Sequence, residues 1–273
     1  MQRIGIIGLG AMGRPMARHL IAKGYAVCGY DPAVAAREQA AALGVSIVAS
    51  PAEVARASDL VLIVVGFDAQ VEKVFFGEQG LLAGSRAGLI VAMGSTIAPS
   101  YARRLAERVK SHGLILLDMA LTRGEPAAEA GEMLILGGGD KAVFEACRPV
   151  FSAFASDIFN LGPFGAGQVG KMVNNLILWS CMAANDEGLR LGEALGVDEE
   201  TMRAALVHSS AQNWSMSARA ESRPTPWAEK DMTIVQHEAD GAHLSLPLCG
   251  LVKEVIKDFK RRRGYPTPNV DIG

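Results

Sequence analysis

Two groups of residues in this chain have types and spacings that can do chemistry, and they lie far apart in sequence. The first is Gly8-Leu9-Gly10-Ala11-Met12-Gly13, a G-x-G-x-x-G, with an acid, Asp31, 18 residues past its last glycine. Such a loop suits a dinucleotide. The first glycine permits a tight turn, the second leaves room for a pyrophosphate against the backbone, and the third lets the next helix pack close. The carboxylate of Asp31 can accept both ribose hydroxyls of an adenosine. The second group is Lys171 and Asn175, one helical turn apart and so on one face. A lysine beside an amide serves a reversible carbonyl–alcohol reaction. The ammonium protonates or polarises the oxygen, the neutral amine takes the hydroxyl proton back, and the amide fixes the substrate. That use requires the lysine amine to be brought from about 10.4 towards neutrality by burial or by a neighbouring cation, for which Arg123 is the candidate.

Between these groups runs Asp118-Met119-Ala120-Leu121-Thr122-Arg123-Gly124. It offers a hydroxyl, a guanidinium and flexible backbone N–H groups, a donor set that matches a carboxylate. The competing reading of Arg123 is a surface salt bridge to Glu125 or Glu129. Ser95-Thr96 can donate to a ribose or a substrate, or one of them can cap the helix that starts at Pro99.

The elements needed to position these residues are visible in the hydrophobic pattern. Arg3–Ile7 is a short apolar run before the glycines, and a second run ends at Asp31. Leu60–Val65 and Leu89–Met93 are apolar without alternation, as in strands buried on both faces of a parallel sheet. Leu114–Asp118, Met133–Leu136 and Ile158–Leu161 repeat the signal, with helical stretches between. Ser50-Pro51 reads as a helix N-cap and first helical residue. Strand and helix alternate to about residue 162, the signature of an α/β, Rossmann-type, doubly wound and mostly parallel sheet with right-handed crossovers. The carboxyl ends of its strands would place Gly8–Gly13, Asp31, Val65–Asp68, Gly94–Thr96 and Asp118–Glu125 around one opening. After the glycine-rich stretch 162–167 only helical periodicity remains. A helix from Gln168 to about Leu195, roughly 40 Å long if Gly188 and Gly192 do not bend it, would link the domains. Further helices are expected at Asp198–His208, Lys230–Ala239 and Leu246–Arg263. The expected division is a dinucleotide-binding domain over 1–162 and an all-α substrate and dimerisation domain over 163–273.

Composition bounds the function. A formal charge of −2 over 273 residues gives no general attraction to nucleic acid or an anionic membrane. Arg261-Arg262-Arg263 reads as a solvated helix end. No apolar run reaches the ~18 residues of a membrane helix, and the first strand begins too early for a leader peptide. Cys28, Cys147, Cys181 and Cys249 form no C-x-x-C, and the five histidines show no metal-binding spacing. The expectation is a cytoplasmic protein with buried thiols and no metal.

Four ordered segments resemble the β-hydroxyacid dehydrogenase family, which includes 3-hydroxyisobutyrate dehydrogenases and tartronate semialdehyde reductases. They are Gly5–Ala17, Gly94-Ser95-Thr96-Ile97-Ala98-Pro99, Asp118–Gly131, and Gly165-Ala166-Gly167-Gln168-Val169-Gly170-Lys171 continuing to Asn175. Lys230-Asp231 resembles the family's Lys-Asp pair near the nicotinamide. The resemblance implies hydride transfer between a nicotinamide and C3 of a small anionic 3-hydroxy acid, giving a semialdehyde. It makes Lys171 the catalytic lysine and Asn175 the substrate-orienting amide. Thr122, Arg123 and Gly124 fall in the loop that grips the substrate. Gly8, Leu9, Gly10, Ala11, Met12, Gly13, Asp31, Val65, Thr96 and Lys230 fall at the cofactor. A homodimer or homotetramer built through the helical domain is also implied.

The departures concern substrate. The family's usual loop is D-x-P-V-S-G-G, and here Ala120, Thr122 and Arg123 replace Pro, Ser and the first Gly. A long cation in place of glycine should shrink the pocket and favour a second anionic group. Sulfolactaldehyde reductases, a branch of the family, also carry an Arg in this loop, but with a serine where this chain has Leu178-Trp179. Trp179 either walls the pocket or belongs to the core. The chain also stops after Asp271 without the family's usual final residues, which suggests a truncated or divergent end. Asp31 repels a 2′-phosphate and so favours NAD over NADP, with Arg37 a distant phosphate partner. The rival readings are an imine reductase on the same fold and a non-catalytic dinucleotide-binding module. Both would be expected to lose Lys171.

Overall fold

The computed structural model describes residues 2–219 and 222–266; the C-terminal stretch around Asp271 lies outside the described residues. The chain divides into two compact units, Met1–Lys171 and Met172–Gly273. The first unit opens with β1 (Arg3–Ile7), α1 (Gly13–Ala22), β2 (Ala26–Tyr30), α2 (Val34–Ala41), β3 (Ser46–Ile47), α3 (Pro51–Ala57) and β4 (Leu60–Ile63). It continues through α4 (Asp68–Phe76), α5 (Leu81–Gly84), β5 (Ile90–Met93), α6 (Pro99–Val109) and β6 (Ile115–Thr122). Its last elements are α7 (Gly124–Ala130), β7 (Met133–Gly138), α8 (Lys141–Phe151), β8 (Ala155–Asn160) and the start of α9 (Ala166–Ala194).

The eight strands form one sheet in the order β3-β2-β1-β4-β5-β6-β7-β8. β1 lies between β2 and β4, so the chain order reverses beside the glycine loop, which is where such sheets bind ligands. The apolar runs without alternation are explained by burial on both faces. Ile4, Ile6, Leu60 and Leu62 enter one core with Leu20, Leu117, Phe144 and Phe151. Their neighbours Ile7, Val61 and Ile63 enter the opposite core with Val71, Phe75 and Leu105. Side chains that alternate across a strand thus all meet apolar partners. Ser50 caps α3 as expected, accepting from the Glu53 N–H with Pro51 at the first helical position.

The sheet is mostly parallel, as expected, with one antiparallel pair, β7 against β6. The connection between them is only the short α7, too brief to bring the chain back for a parallel crossover. One expectation is corrected: the segment beginning at Asp118 does not leave a strand end. Asp118 pairs with Met93, the last residue of β5, and β6 then runs on to Thr122 by pairing with β7 instead.

The second unit is helical: the remainder of α9, then α10 (Glu199–Leu206), α11 (Trp214–Ala218), α12 (Ala228–Gly241) and α13 (Pro247–Arg263). α9 runs unbroken through Gly188 and Gly192 over 29 residues. Met172, Leu176 and Trp179 pack against a core of Met182, Met232, Val252, Ile256 and Phe259. A buried ion pair, Lys260 Nζ to Glu229 Oε2 at 2.5 Å, ties α13 to α12. Arg262 is more than a solvated helix end. It pairs with the buried Asp186 at 2.5 Å and with Asp258 at 2.8 Å. No described helix is long and apolar enough to cross a membrane.

Candidate active site

The glycine loop has the geometry a dinucleotide requires, each glycine for a different reason. Gly8 adopts φ +99°, and a Cβ there would lie 2.2 Å from the Val64 carbonyl oxygen. A Cβ on Gly13 would lie 1.9 Å from the Gly8 carbonyl oxygen, so α1 sits against the turn with no room for a side chain. Around Gly10 no atom lies within 4 Å of a built Cβ, and Gly10 and Ala11 are exposed. An open backbone in front of α1's N-terminus has room for a pyrophosphate and N–H groups to meet it. Met12 is half-buried and packs against the sheet core. The Leu9 N–H donates to Asp31 Oδ2 and the Ala33 N–H to Asp31 Oδ1, both at 2.8 Å. Asp31 therefore holds the loop to the end of β2, and these residues fit the adenosine and phosphate portion of a nicotinamide dinucleotide. Arg37 is not distant: its Nη1 donates to the Asp31 carbonyl at 2.7 Å and the Pro32 carbonyl at 3.0 Å.

The ends of β4 and β5 are joined by side chains. The Val65 N–H donates to Ser95 Oγ at 2.8 Å, which also lies 3.4 Å from the Ile63 carbonyl. The residue before α6 is Ala98, so neither Ser95 nor Thr96 caps that helix. Ser95 stitches the two strand ends, and Thr96 is left half-buried between Ser95 and Ile97.

The start of α9 is attached to the same strand ends. Gln168 accepts from the Ile97 N–H at 3.1 Å and donates to the Ser95 carbonyl at 3.0 Å. Asp118 Oδ2 accepts from the N–H groups of Gly165, at 2.5 Å, and Gly167, at 3.0 Å. Burial lifts the Asp118 carboxyl to about 6, against the opposing pull of those two N–H groups. Lys171, half-buried, stands one turn beyond Gly167. The sequence reading marked Gln168 and Asp118 only as members of motifs. Their anchoring role shows in three dimensions, and the cue in the sequence was a polar residue inside an apolar strand and another inside a glycine-rich helix start.

Thr122, at the end of β6, is buried and donates to the Leu134 carbonyl at 3.3 Å. Arg123 and Gly124 follow with φ +74° and +72°. Two left-handed residues in succession explain why glycine is the usual occupant there, since an L side chain costs roughly 1–2 kcal/mol in that conformation. Arg123 does form a salt bridge, but with neither Glu125 nor Glu129. Its Nη1 lies 2.8 Å from Asp157 Oδ2 and also donates to Ser156 Oγ and the Glu132 carbonyl. The guanidinium reaches past β7 to the first residues of β8.

In the second unit Asn175 is buried, its Oδ1 accepting from Asn174 Nδ2 at 3.0 Å. Lys230 Nζ lies 3.6 Å from Asp231 Oδ1 and faces the Trp227 ring. Asp231 Oδ2 accepts from Trp179 Nε1 at 3.1 Å, so Trp179 is a partly buried member of the helical core with its polar tip satisfied. Among the described residues no group of three or more His, Cys, Asp or Glu is placed to hold a metal.

Comparison with known proteins agrees with these features. Residues 3–162 match the family model described as the NAD binding domain of 6-phosphogluconate dehydrogenase. Residues 165–269 match the one described as NAD-binding of NADP-dependent 3-hydroxyisobutyrate dehydrogenase. An NAD-dependent L-serine dehydrogenase of Pseudomonas aeruginosa is 35% identical, over 97% of this chain and 94% of that protein. A 2-(hydroxymethyl)glutarate dehydrogenase of Eubacterium barkeri is 36% identical over 80% of this chain and 73% of its own. The solved structure of Mycobacterium tuberculosis 3-hydroxyisobutyrate dehydrogenase with L-serine matches with a TM-score of 0.85 at 26% identity, covering 98% of this chain and 96% of that one. Matches along both units, over 3–162 and 165–269, show that the chain belongs to the 3-hydroxyisobutyrate dehydrogenase family of β-hydroxyacid dehydrogenases, which are NAD(P)-dependent oxidoreductases.

Proposed function

We propose that the chain is an NAD-dependent 3-hydroxy-acid dehydrogenase, equivalently a semialdehyde reductase, with Lys171 as its general acid and base. The observation that carries this reading is the attachment of the Lys171 turn, through Gln168, to Ser95 and Ile97 at the end of β5, whose neighbour β4 flanks the glycine loop. When bound, the nicotinamide supplies or accepts the hydride. Lys171 Nζ takes the proton from the C3 hydroxyl in oxidation and returns it to the aldehyde oxygen in reduction. The Asn175 amide orients the same oxygen. The Thr122 hydroxyl and the Gly124 backbone N–H donate to the substrate carboxylate, and Arg123 reads a further anionic group through donors other than the Nη1 that Asp157 holds.

NAD is the expected cofactor, with Leu9, Ala11, Met12, Val65 and Thr96 lining its path in the first unit; Lys230 is assigned to it by the family resemblance alone. A 2′-phosphate would meet the Asp31 carboxylate, although Arg37 stands beside it and softens that repulsion. A cytoplasmic homodimer or homotetramer completes the reading. Lys171 speaks against the imine reductase alternative, and turnover of a cyclic imine faster than any aldehyde would reverse that judgement.

The test is the rate of NAD reduction with 3-hydroxyisobutyrate and L-serine, and of NADH oxidation with a panel of small semialdehydes, for the wild type and Lys171→Ala. Lys171→Ala should lose at least a hundredfold in kcat; equal rates would remove Lys171 from the mechanism. Arg123→Gly should move preference towards monoanionic substrates, and an unchanged preference would leave Arg123 with only its salt bridge to Asp157.

A further inference from the structure

Asp118 is costly where it stands. It has no solvent exposure, its Oδ1 has no hydrogen-bond partner, and its Oδ2 takes two backbone N–H groups at the beginning of α9. Space is cleared for it from two sides. A Cβ on Gly138 would lie 2.5 Å from Asp118 Oδ2, and a Cβ on Gly167 would lie 2.5 Å from Asp118 Cβ. The backbone of Asp118 is paired with Met93 on one side and Gly138 on the other. A carboxylate held rigidly by two strands, and gripping the first N–H groups of a helix, sets that helix's height and rotation. It accepts through charge-assisted bonds that the helix dipole strengthens. Gln168 makes a second attachment on the same turn, to Ser95 and Ile97. Lys171 follows Gly167 by one turn and Gln168 by three residues, so any slip of this turn is passed directly to its amine.

We propose that Asp118, assisted by Gln168, is the positioning residue for Lys171: it locks the first turn of α9 to β6 so that the lysine amine meets the reacting oxygen at bonding distance. This rests on Lys171 being the general acid and base. Displacing a reacting group by about 1 Å can cost on the order of a hundredfold in rate. Releasing the turn should therefore lower kcat while leaving the glycine loop, on the far side of β5 and β4, able to hold the cofactor.

The experiment compares wild type, Asp118→Asn, Asp118→Ala, Gln168→Ala and Lys171→Ala, using NAD(H) and the fastest substrate of the panel above. Asp118→Ala and Gln168→Ala should each lower kcat at least tenfold with the KM for NAD changed less than twofold. Asp118→Asn keeps one uncharged oxygen that can accept from both glycine N–H groups and should recover part of the loss. Hydrogen exchange needs no substrate, and the amides of 167–171 should exchange at least tenfold faster in Asp118→Ala. If Asp118→Ala does not fold, the Asn and Gln168 variants carry the decision. The inference is overturned if kcat is unchanged in these variants, or if kcat and the KM for NAD worsen together as general loosening would make them. Full activity in Lys171→Ala sinks the acid–base reading itself. Loss in Lys171→Ala beside undiminished Asp118 and Gln168 variants sinks this inference alone.

Discussion

Gly10 and Gly13 lie three residues apart in one loop, yet alanine at the two positions should do opposite things. At Gly13 an added methyl would stand 1.9 Å from the Gly8 carbonyl oxygen, more than 1 Å inside any tolerable contact. Both partners are backbone, so the turn and α1 must separate. Overpacking of this kind costs about 1–3 kcal/mol. For a chain of this size each kcal/mol shifts Tm by roughly 2–4 °C, so Gly13→Ala should melt several degrees early. At Gly10 nothing lies within 4 Å of the added methyl, and Tm should stay within about 1 °C. The methyl would instead enter the open space in which the proposed function seats a pyrophosphate. A tenfold loss of affinity, about 1.4 kcal/mol, is the least expected from pushing a charged group away from its N–H donors. Calorimetric melting and NADH fluorescence titration measure the two quantities separately. Unchanged NADH affinity in Gly10→Ala would refute the reasoning, because the open space at Gly10 would then have no part in cofactor binding.

Three further outcomes are expected. Asp31→Ser should raise the NADPH to NADH ratio of kcat/KM at least tenfold, and adding Arg37→Ala should reverse most of the gain; a ratio indifferent to Arg37 would remove it from the ribose edge. Burial raises the Asp118 carboxyl to about 6 from 3.8, so the folded protein holds that proton more tightly than the unfolded chain. The stabilisation from this group is present below about pH 4 and is lost as pH rises to about 6. The Tm of Asp118→Asn relative to wild type should accordingly be higher at pH 7.5 than at pH 4.5, and a difference independent of pH would contradict the assignment. In the helical unit Lys260→Met alone should cost about 3–5 kcal/mol by stranding Glu229 in the core. The double variant Glu229→Leu, Lys260→Met should recover much of that in urea unfolding, and equal losses in the two would show the pair is not coupled.

Much of the fold was legible because burial on both faces leaves a plain mark. Leu60–Ile63 has no polar residue, as a strand in the middle of a parallel sheet allows. The direction of β7 was not legible. Met133–Leu136 reads the same forwards and backwards, and only the shortness of α7 decides it. The five-residue α11 also escaped, because it carries too few turns to establish a period. At the site, chemistry-bearing residues announced themselves by type, whereas partners did not. Arg123 stood out as a cation in a glycine's place, but its true partner, Asp157, lies across β7 in a strand that sequence alone gave no reason to link to it. Arg37 was misjudged as distant for a similar reason: six residues of chain fold it back onto the Asp31 carbonyl.

The strand order also bears on how the first unit assembles. From β4 to β8 every strand pairs with the next one in sequence, and the innermost pairing, Thr122 with Leu134, closes a short loop. β1 by contrast must wait for Leu60 to be made before Ile4 has its partner on that side. Closing short loops costs less entropy than closing long ones. The residues from β6 to β8, which include the Thr122–Gly124 turn and Asp118, should therefore gain protected amides in pulse-labelled refolding before β1 does. In refolding, the glycine loop would then be among the last parts to take shape, after the Thr122–Gly124 turn.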